Sequence, residues 1–296
     1  MNRMIQLKQT TPVFLVALLL CFWVLQGVQA VVPPPDGGYP GFNTAEGQNA
    51  LFSLTTGSAN TAVGWFSLWG NAEGSFNTAT GAGALLFNAG DENTAFGAAA
   101  LLFNTTGFSN TAVGAATLLN NTTGVENTAI GGGALSANTE GLDNAATGFG
   151  SLSHNTTGGA NTADGSGALF NNTTGEFNTA VGQGALQANT TGSANVALGV
   201  GAGGSVTTAE NVICIGATVG GANVSNRCYI GNIRSATTGN NNAIPVLIDT
   251  AGQLGTVSSS RRYKKEIKPM DNASEVILAL NPVTRRQPCY YRLRRR

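Results

Sequence analysis

The sequence predicts an all-β fold, a parallel β-solenoid or β-roll built from coils of 17 residues. Three observations support this prediction: a fixed repeat, apolar residues at fixed places within it, and glycine and asparagine between them. Fixed periods shorter than about 50 residues are typical of stacked units that bury their apolar faces only against neighbours. The chain is therefore predicted to form a rod or stalk. All steps between successive coils are 17 residues except one of 16, and the ten coils begin at Asn43, Asn60, Asn77, Asn93, Asn110, Asn127, Asn144, Asn161, Asn178 and Asn195.

The repeat unit reads N-T-A-x-G-x-x-A-L-x-x-N-x-x-G-x-x, with position three Ala and position five Gly in all ten copies. Position nine is Leu in nine copies and position twelve is Asn in eight. We interpret N-T-A-x and x-x-A-L-x as two extended runs that form two small sheets, with an Ala ladder and a Leu ladder pointing inward. Gly and Asn then supply corners with positive φ. A short helix in the A-L half is the alternative, but only six residues separate the Gly from the Asn, which is short for a helix.

The short coil and the coil spacing give two further expectations. The missing residue falls at residues 88–92, in the second corner, where a deletion disturbs stacking least. Coils of a β-stack lie about 4.8 Å apart, so ten coils predict a rod on the order of 45–50 Å long.

Composition divides the chain into five segments. Arg3 and Lys8 precede a short apolar run that ends near Ala30, which is the pattern of a secretory signal peptide. No membrane span is expected after its removal. The segments are residues 1–30, the signal peptide; 31–42, a Pro/Gly leader; 43–210, the 17-residue repeats; 211–257, a neck with coils of 15–16 residues and a β-hairpin; and 258–296, a basic C-terminal segment with one short helix.

Charge is distributed unevenly between these segments. Residues 31–226 contain 11 acidic residues and no Lys or Arg, whereas residues 258–296 contain 11 basic and three acidic residues. We interpret the acidic residues as a solvated coat that discourages lateral sheet pairing. They share no single repeat position, so they predict no metal ladder. His154 is the only histidine, which excludes a multi-histidine zinc site and a histidine-based triad. We expect no metal, no cofactor and no nucleic-acid partner.

Three cysteines follow the signal peptide, and two of them lie in neighbouring coils. Aligning Gly216 with Gly231 places Cys214 and Cys228 one residue apart in register, hence on opposite faces of stacked strands. We therefore expect free, partly buried thiols.

The Asn/Thr-rich coils with A-x-G turns between Asn43 and Ile233 resemble the β-roll heads and shafts of trimeric bacterial adhesins and phage tail-fibre proteins. This unit is longer than the usual adhesin head repeat. The resemblance implies a homotrimer in which three thin stacks share a core that one stack lacks. It also implies a secreted or bacterial cell-surface location and a cell-surface or glycan ligand.

The segment from Ser258 to Met270, S-S-S-R-R-Y-K-K-E-I-K-P-M, resembles the start of the intramolecular chaperone domain of endosialidases and tail fibres, peptidase family S74. The resemblance implies trimerisation and self-cleavage by a Ser-Lys dyad, with Ser259 as nucleophile and Lys264 as base. Lys264 must be neutral for this role, which burial and neighbouring cations would favour. Ser260 stands where the family usually has Asp. The chain ends at Arg296, before the family's long helical region, so the segment is interpreted as a truncated chaperone domain.

These observations favour a secreted or surface-displayed fibrous adhesin or fibre shaft that makes multivalent contacts along a repetitive face. Two alternatives are a self-processing Ser-Lys endopeptidase acting once in cis and an ice-binding β-solenoid, since threonines at position two stack in one ladder. The variable position four is expected to point outward, either to contact ligand or to fill the trimer interface. Its residues are Glu46, Val63, Thr80, Phe96, Val113, Ile130, Thr147, Asp164, Val181 and Leu198.

Overall fold

The computed structural model describes residues 39–233, 246–248, 250 and 254–256. The chain divides into two units, Met1–Ala236 and Thr237–Arg296. The predicted signal peptide, most of the predicted leader and the predicted C-terminal segment, residues 258–296, lie outside the described residues.

The first unit is a single parallel sheet in which each strand pairs with the next along the chain. Ten strands have three residues and the last two have four. The described part contains no helix, so the predicted fold class, an all-β parallel solenoid of 17-residue coils, is confirmed. The strands are β1 (Thr44–Glu46), β2 (Thr61–Val63), β3 (Thr78–Thr80), β4 (Thr94–Phe96), β5 (Thr111–Val113), β6 (Thr128–Ile130), β7 (Ala145–Thr147), β8 (Thr162–Asp164), β9 (Thr179–Val181), β10 (Val196–Leu198), β11 (Val212–Ile215) and β12 (Arg227–Ile230).

Among the described residues of the second unit, β13 (Val246–Ile248) pairs antiparallel with β14 (Leu254–Thr256). In the sequence these strands flank a D-x-x-G turn signal.

The stacking register is strict along the first unit. Thr44 lies over Thr61 and Ala45 over Ala62, and the same pairing holds across the 16-residue coil, where Ala79 lies over Ala95. Gly74 and Gly90 lie at the same corner of successive coils, since a Cβ at Gly74 would lie 2.6 Å from the carbonyl oxygen of Gly90. Gly90 thus takes the repeat position of Gly74, and the missing residue precedes it, in the second corner, as expected. The corner therefore absorbs the lost residue without shifting the core.

The A-L half of each coil is a pair of tight turns, so the prediction of a second extended run and a second sheet is wrong. The nitrogen of Ala84 donates to the carbonyl of Gly81, and the nitrogen of Asn104 to that of Leu101. The nine leucines of position nine have φ between 50° and 52°. This left-handed conformation costs roughly 1–2 kcal/mol per residue. Complete burial of a leucine side chain contributes about 1.5–3 kcal/mol, which offsets the cost.

Glycine at position five is required both by conformation and by close stacking. Its φ lies between 120° and 142° in the ten coils. A Cβ at Gly131 would lie 2.6 Å from the carbonyl carbon of Gly148 in the next coil. The prediction of a positive-φ glycine corner is confirmed here.

Three small ladders fill the apolar core inside one chain. The predicted Ala ladder of position three and Leu ladder of position nine are confirmed; Ala129 and Leu135 are both 0% exposed. Position eight adds a third ladder of Ala, Ser and Thr, including Ala134. A single stack therefore already has a closed core.

Two asparagine ladders share this interior, so the prediction that the asparagines form positive-φ corners is wrong. Asn127 and Asn138 are fully buried. Asn127 donates its backbone and side-chain nitrogens to Oδ1 of Asn110, at 3.0 and 3.1 Å. Both Asn127 and Asn138 also donate Nδ2 to the carbonyl of Gly141, at 2.8 and 3.0 Å. Each coil thus satisfies its buried amides through its neighbour.

The stack changes composition at its C-terminal end. Val196 of β10 pairs with Ile213, so Val212 rather than Asn211 takes the first repeat position. Val212 is 1% exposed and Val206, which follows a glycine-rich turn, is buried as well. Asn189 Oδ1, which a further asparagine would have reached, has no hydrogen-bond partner among the described residues.

Candidate functional site

The predicted catalytic residues, Ser259 and Lys264, lie outside the described residues. Within the described ranges, no three His, Cys, Asp or Glu side chains are grouped so that they could hold a metal ion. Among the same residues, no helix is long and apolar enough to cross a membrane. The candidate sites are the outer surfaces of the stack.

The first surface is the outer side of the parallel sheet, formed by positions two and four of β1–β12 and called the sheet face below. In each of the strands β1–β10 the middle residue is buried and the two flanking residues face outward. The outward direction expected for position four is therefore confirmed. Only β3 has threonine at both outward positions, Thr78 and Thr80, so the face lacks the double threonine ladder associated with ice binding.

The second surface is a groove of about 750 Å³ along positions eleven and thirteen. None of its lining side chains is charged, and they come from the four successive coils that begin at Asn77, Asn93, Asn110 and Asn127. The lining residues are Phe87, Phe103, Thr105, Asn120, Thr122, Ala137 and Thr139.

Polar side chains of the groove each donate a hydrogen bond to a backbone carbonyl of the next coil. Thr105 Oγ1 donates to the carbonyl of Thr122 at 2.7 Å, and Thr122 Oγ1 to that of Thr139 at 2.9 Å. Asn120 Nδ2 donates to the carbonyl of Ser136 at 2.9 Å. The hydroxyl oxygens and Asn120 Oδ1 remain as acceptors toward a ligand.

An aromatic cluster adjoins the groove. Phe87 and Phe103 stack with ring centroids 5.7 Å apart and an interplanar angle of 9°. Trp69 of the preceding coil meets Phe87 edge to face at 6.4 Å, and Phe66 and Trp65 extend the cluster within the coil of Trp69. Phe87 and Phe103 are 44% and 43% exposed. Exposed aromatic side chains next to an uncharged groove are typical of binding surfaces.

His154 lies further along the same ladder. Its ring packs edge to face on Phe170 with centroids 4.5 Å apart, and its Nδ1 lies 3.2 Å from Asn171 Oδ1. These neighbours form no nucleophile–base pair.

The third surface is an acidic corner formed by positions 14, 16 and 17, which flank Gly at position 15. Eight of the ten described carboxylates lie there, and all eight are exposed. The sequence pattern missed this corner because its acidic residues occupy three repeat positions that the turn brings to one edge. They are Glu73, Asp91, Glu92, Glu126, Glu140, Asp143, Glu176 and Glu210.

The two cysteines of the stack differ in environment. Ile213 pairs with Cys228 and Cys214 with Tyr229, so the thiols lie one residue out of register, as expected. Both are free; Cys214 is buried and Cys228 is exposed. Burial is the main cause that raises the pKa of the Cys214 thiol above its ordinary value, and proximity to Cys228 adds to it.

Comparison with protein-family models, curated proteins and solved structures finds no match to this chain. The candidate sites therefore depend on their own chemistry. The groove presents rings, methyl groups and hydrogen-bond acceptors without charge, which suits binding rather than reaction.

Proposed function

We propose that this chain is a fibrous binding protein, an adhesin-like or tail-fibre-like shaft that is secreted or displayed at the bacterial cell surface. One observation carries the proposal: an unbroken parallel stack from Thr44 to Ile230 in which eight of the twelve strands present threonine at the outward position two. Such a stack presents the same hydroxyl group many times along one line, beside positions whose side chains vary from coil to coil. Linked weak contacts raise overall affinity without any single deep pocket.

The groove is the proposed contact surface, and a neutral glycan is its proposed ligand. Sugar rings have apolar faces that pack on Phe and Ala side chains, and their hydroxyls are donors that suit the free acceptors of Thr105, Thr122 and Asn120. Residues 31–226 contain no Lys or Arg. An anionic polysaccharide or nucleic acid would therefore meet carboxylates and no cation along the stack until Arg227 of its last strand.

A pull-down on uncharged insoluble polysaccharides, cellulose and chitin, with alginate as the anionic comparison, tests this proposal. Binding to a neutral polymer that Phe103→Ala reduces at least tenfold supports it. The matched control is Phe108→Ala, because Phe108 belongs to the same coil and is 45% exposed against 43% for Phe103, but lies at the acidic corner. Equal loss in both variants, preference for alginate, or no binding to either neutral polymer overturns the proposal.

A second proposed function concerns processing of the C-terminal segment. The motif from Ser258 to Met270 supports a self-cleavage that Ser259 performs once in cis, with Lys264 as base. The intact mass of the exported protein tests it. A fragment ending at Ser258 that disappears in Ser259→Ala and Lys264→Met supports the proposal, and an uncleaved wild-type chain overturns it.

The homotrimer implied by the resemblance stays a prediction. The resemblance implies a trimer because three thin stacks would share a core that one stack lacks. The Ala and Leu ladders, however, are already buried within one chain. Copies that associate must therefore meet through their outer faces.

A further inference from the structure

In the described part of the chain, the side chains of the sheet face are exposed or half-buried. At position four, eight of the twelve residues in β1–β12 are large and apolar and only Glu46 and Asp164 carry charge, whereas position two is threonine in eight strands. Phe96 is 59% exposed, Leu198 50% and Ile130 43%. The apolar side chains of position four are contiguous over three coils, from Phe96 to Ile130, and over four, from Val181 to Ile230, and contiguous apolar patches mark interaction surfaces.

We propose that a second copy of this chain covers the sheet face, with the two sheets packed face to face. The inference deepens the proposed function by naming the partner and the surface, and rests on that function only in treating the chain as a fibre component. The groove and the acidic corner stay free in such a pair, because they lie at other repeat positions.

The dimensions of the face fit this partner. Twelve strands about 4.8 Å apart and three residues wide give a face of roughly 50 by 10 Å. Covering it on both copies buries on the order of 1,000–1,200 Å² in total, which reaches the size of a specific interface.

The axial repeat also favours a second copy over an unrelated protein. A partner that fills the spaces between position-four side chains along the whole stack must carry ladders of the same spacing. The chain itself supplies such a surface of equal length. A contact between two like sheet faces is isologous and closes at two copies, so the expected assembly is a dimer, in place of the homotrimer that the resemblance implies.

The test compares two matched substitutions in a single coil. Ile130 lies on the sheet face and is 43% exposed, whereas Leu142 lies at the acidic corner and is 46% exposed. Sedimentation equilibrium of the full chain is expected to give twice the chain mass. Ile130→Lys is expected to weaken association at least about thirtyfold, because it buries an unpaired charge in each copy. Leu142→Lys is expected to leave it unchanged.

A second pair of substitutions tests for stronger association, a result that a folding defect cannot produce. Asp164→Val removes the carboxylate near the middle of the sheet face and gives the residue found in the next strand at Val181. It is expected to strengthen association about tenfold, since that carboxylate loses water in the dimer. Glu176→Val, at the acidic corner of the same coil, is expected to have no such effect.

Several outcomes overturn the inference: a wild-type monomer at all concentrations, equal responses of Ile130→Lys and Leu142→Lys with both folded by circular dichroism, or a trimer. Failure here is separable from failure of the glycan proposal, because Phe103→Ala reports on the groove and leaves the sheet face intact.

Discussion

The body of the stack and its C-terminal end fill equivalent interior positions with different side chains, polar in the body and apolar at the end. In the body, each coil buries two asparagines whose amides are satisfied by the coils before and after. At the end, Val206 and Val212 occupy the equivalent interior places and Cys214 replaces the alanine of position three. The difference teaches that a buried amide ladder is stable only where a further coil continues it. Where the ladder stops, apolar side chains close the core instead.

The largest effect is expected where neighbouring coils approach most closely. Gly131→Ala forces an L-residue to φ 127° and places its Cβ 2.6 Å from Gly148. We expect the free energy of unfolding to fall by several kcal/mol, or the protein not to fold. Gly132→Ala is the neighbouring control, since its Cβ would meet nothing nearer than 3.6 Å. Urea unfolding measures both, and equal effects would contradict the stacking account.

Breaking the ladder within the body is expected to have the next largest effect. Asn121 donates to Asn104 Oδ1 at 2.8 Å and to Gly124 O at 2.9 Å, and accepts from Asn138 at 2.8 Å. Asn121→Ala leaves these partners buried without it, so we expect a loss of about 3 kcal/mol or more. Asn120→Ala removes an exposed amide and is expected to cost about 0.5 kcal/mol. Chemical denaturation that ranked the two variants in reverse would refute the role of the buried ladder.

The same substitution at the end of the ladder sharpens the comparison. Asn189 still donates to Asn172 Oδ1 and Gly192 O, both near 2.9 Å, but its own Oδ1 has no described partner. Asn189→Ala therefore leaves fewer buried polar groups without a hydrogen-bond partner, and it removes an acceptor that is itself unsatisfied. We expect it to cost about 1–2 kcal/mol less than Asn121→Ala in the same denaturation assay. Equal losses would show that position along the ladder does not matter.

The smallest effect concerns the cysteine at the end of the stack. Burial raises the pKa of Cys214, so the folded state holds the thiol proton more tightly than the unfolded state does. Its contribution to stability is complete below the ordinary pKa of 9.0 and is lost as the pH rises through the folded-state pKa. Cys214→Ala, which restores the residue of the other coils, should flatten the loss of stability above about pH 9. Cys228→Ala removes only the smaller cause of the raised pKa and is expected to change the alkaline slope less. An unchanged slope in Cys214→Ala would contradict the assignment.

Features that depend on the repeat itself could be predicted from the sequence. The Ala and Leu ladders, the glycine corner, the tolerance of the 16-residue coil and the register of Cys214 against Cys228 all follow from aligning equivalent positions. Because the coils stack in register, residues at equivalent repeat positions of neighbouring coils can be predicted to lie in contact.

Features that depend on conformation within one coil could not be predicted in this way. Asparagine is favoured in turns, and only the path of the chain shows that Asn127 points inward. Leu135 has a left-handed φ that leucine normally avoids, so the sequence indicated an extended run where a turn exists. The groove and the acidic corner likewise bring together different repeat positions, which a comparison of equivalent residues does not reveal.

The asparagine ladders have a direction along the stack. In the ladder of position twelve, each Nδ2 donates to the Oδ1 of the preceding coil, as Asn172 does to Asn155 and Asn189 to Asn172. The side-chain amide dipoles of this ladder therefore add, as peptide dipoles do in a helix. The two ends of the ladder differ in consequence, because at Asn189 it ends in an acceptor, Oδ1, that has no partner among the described residues.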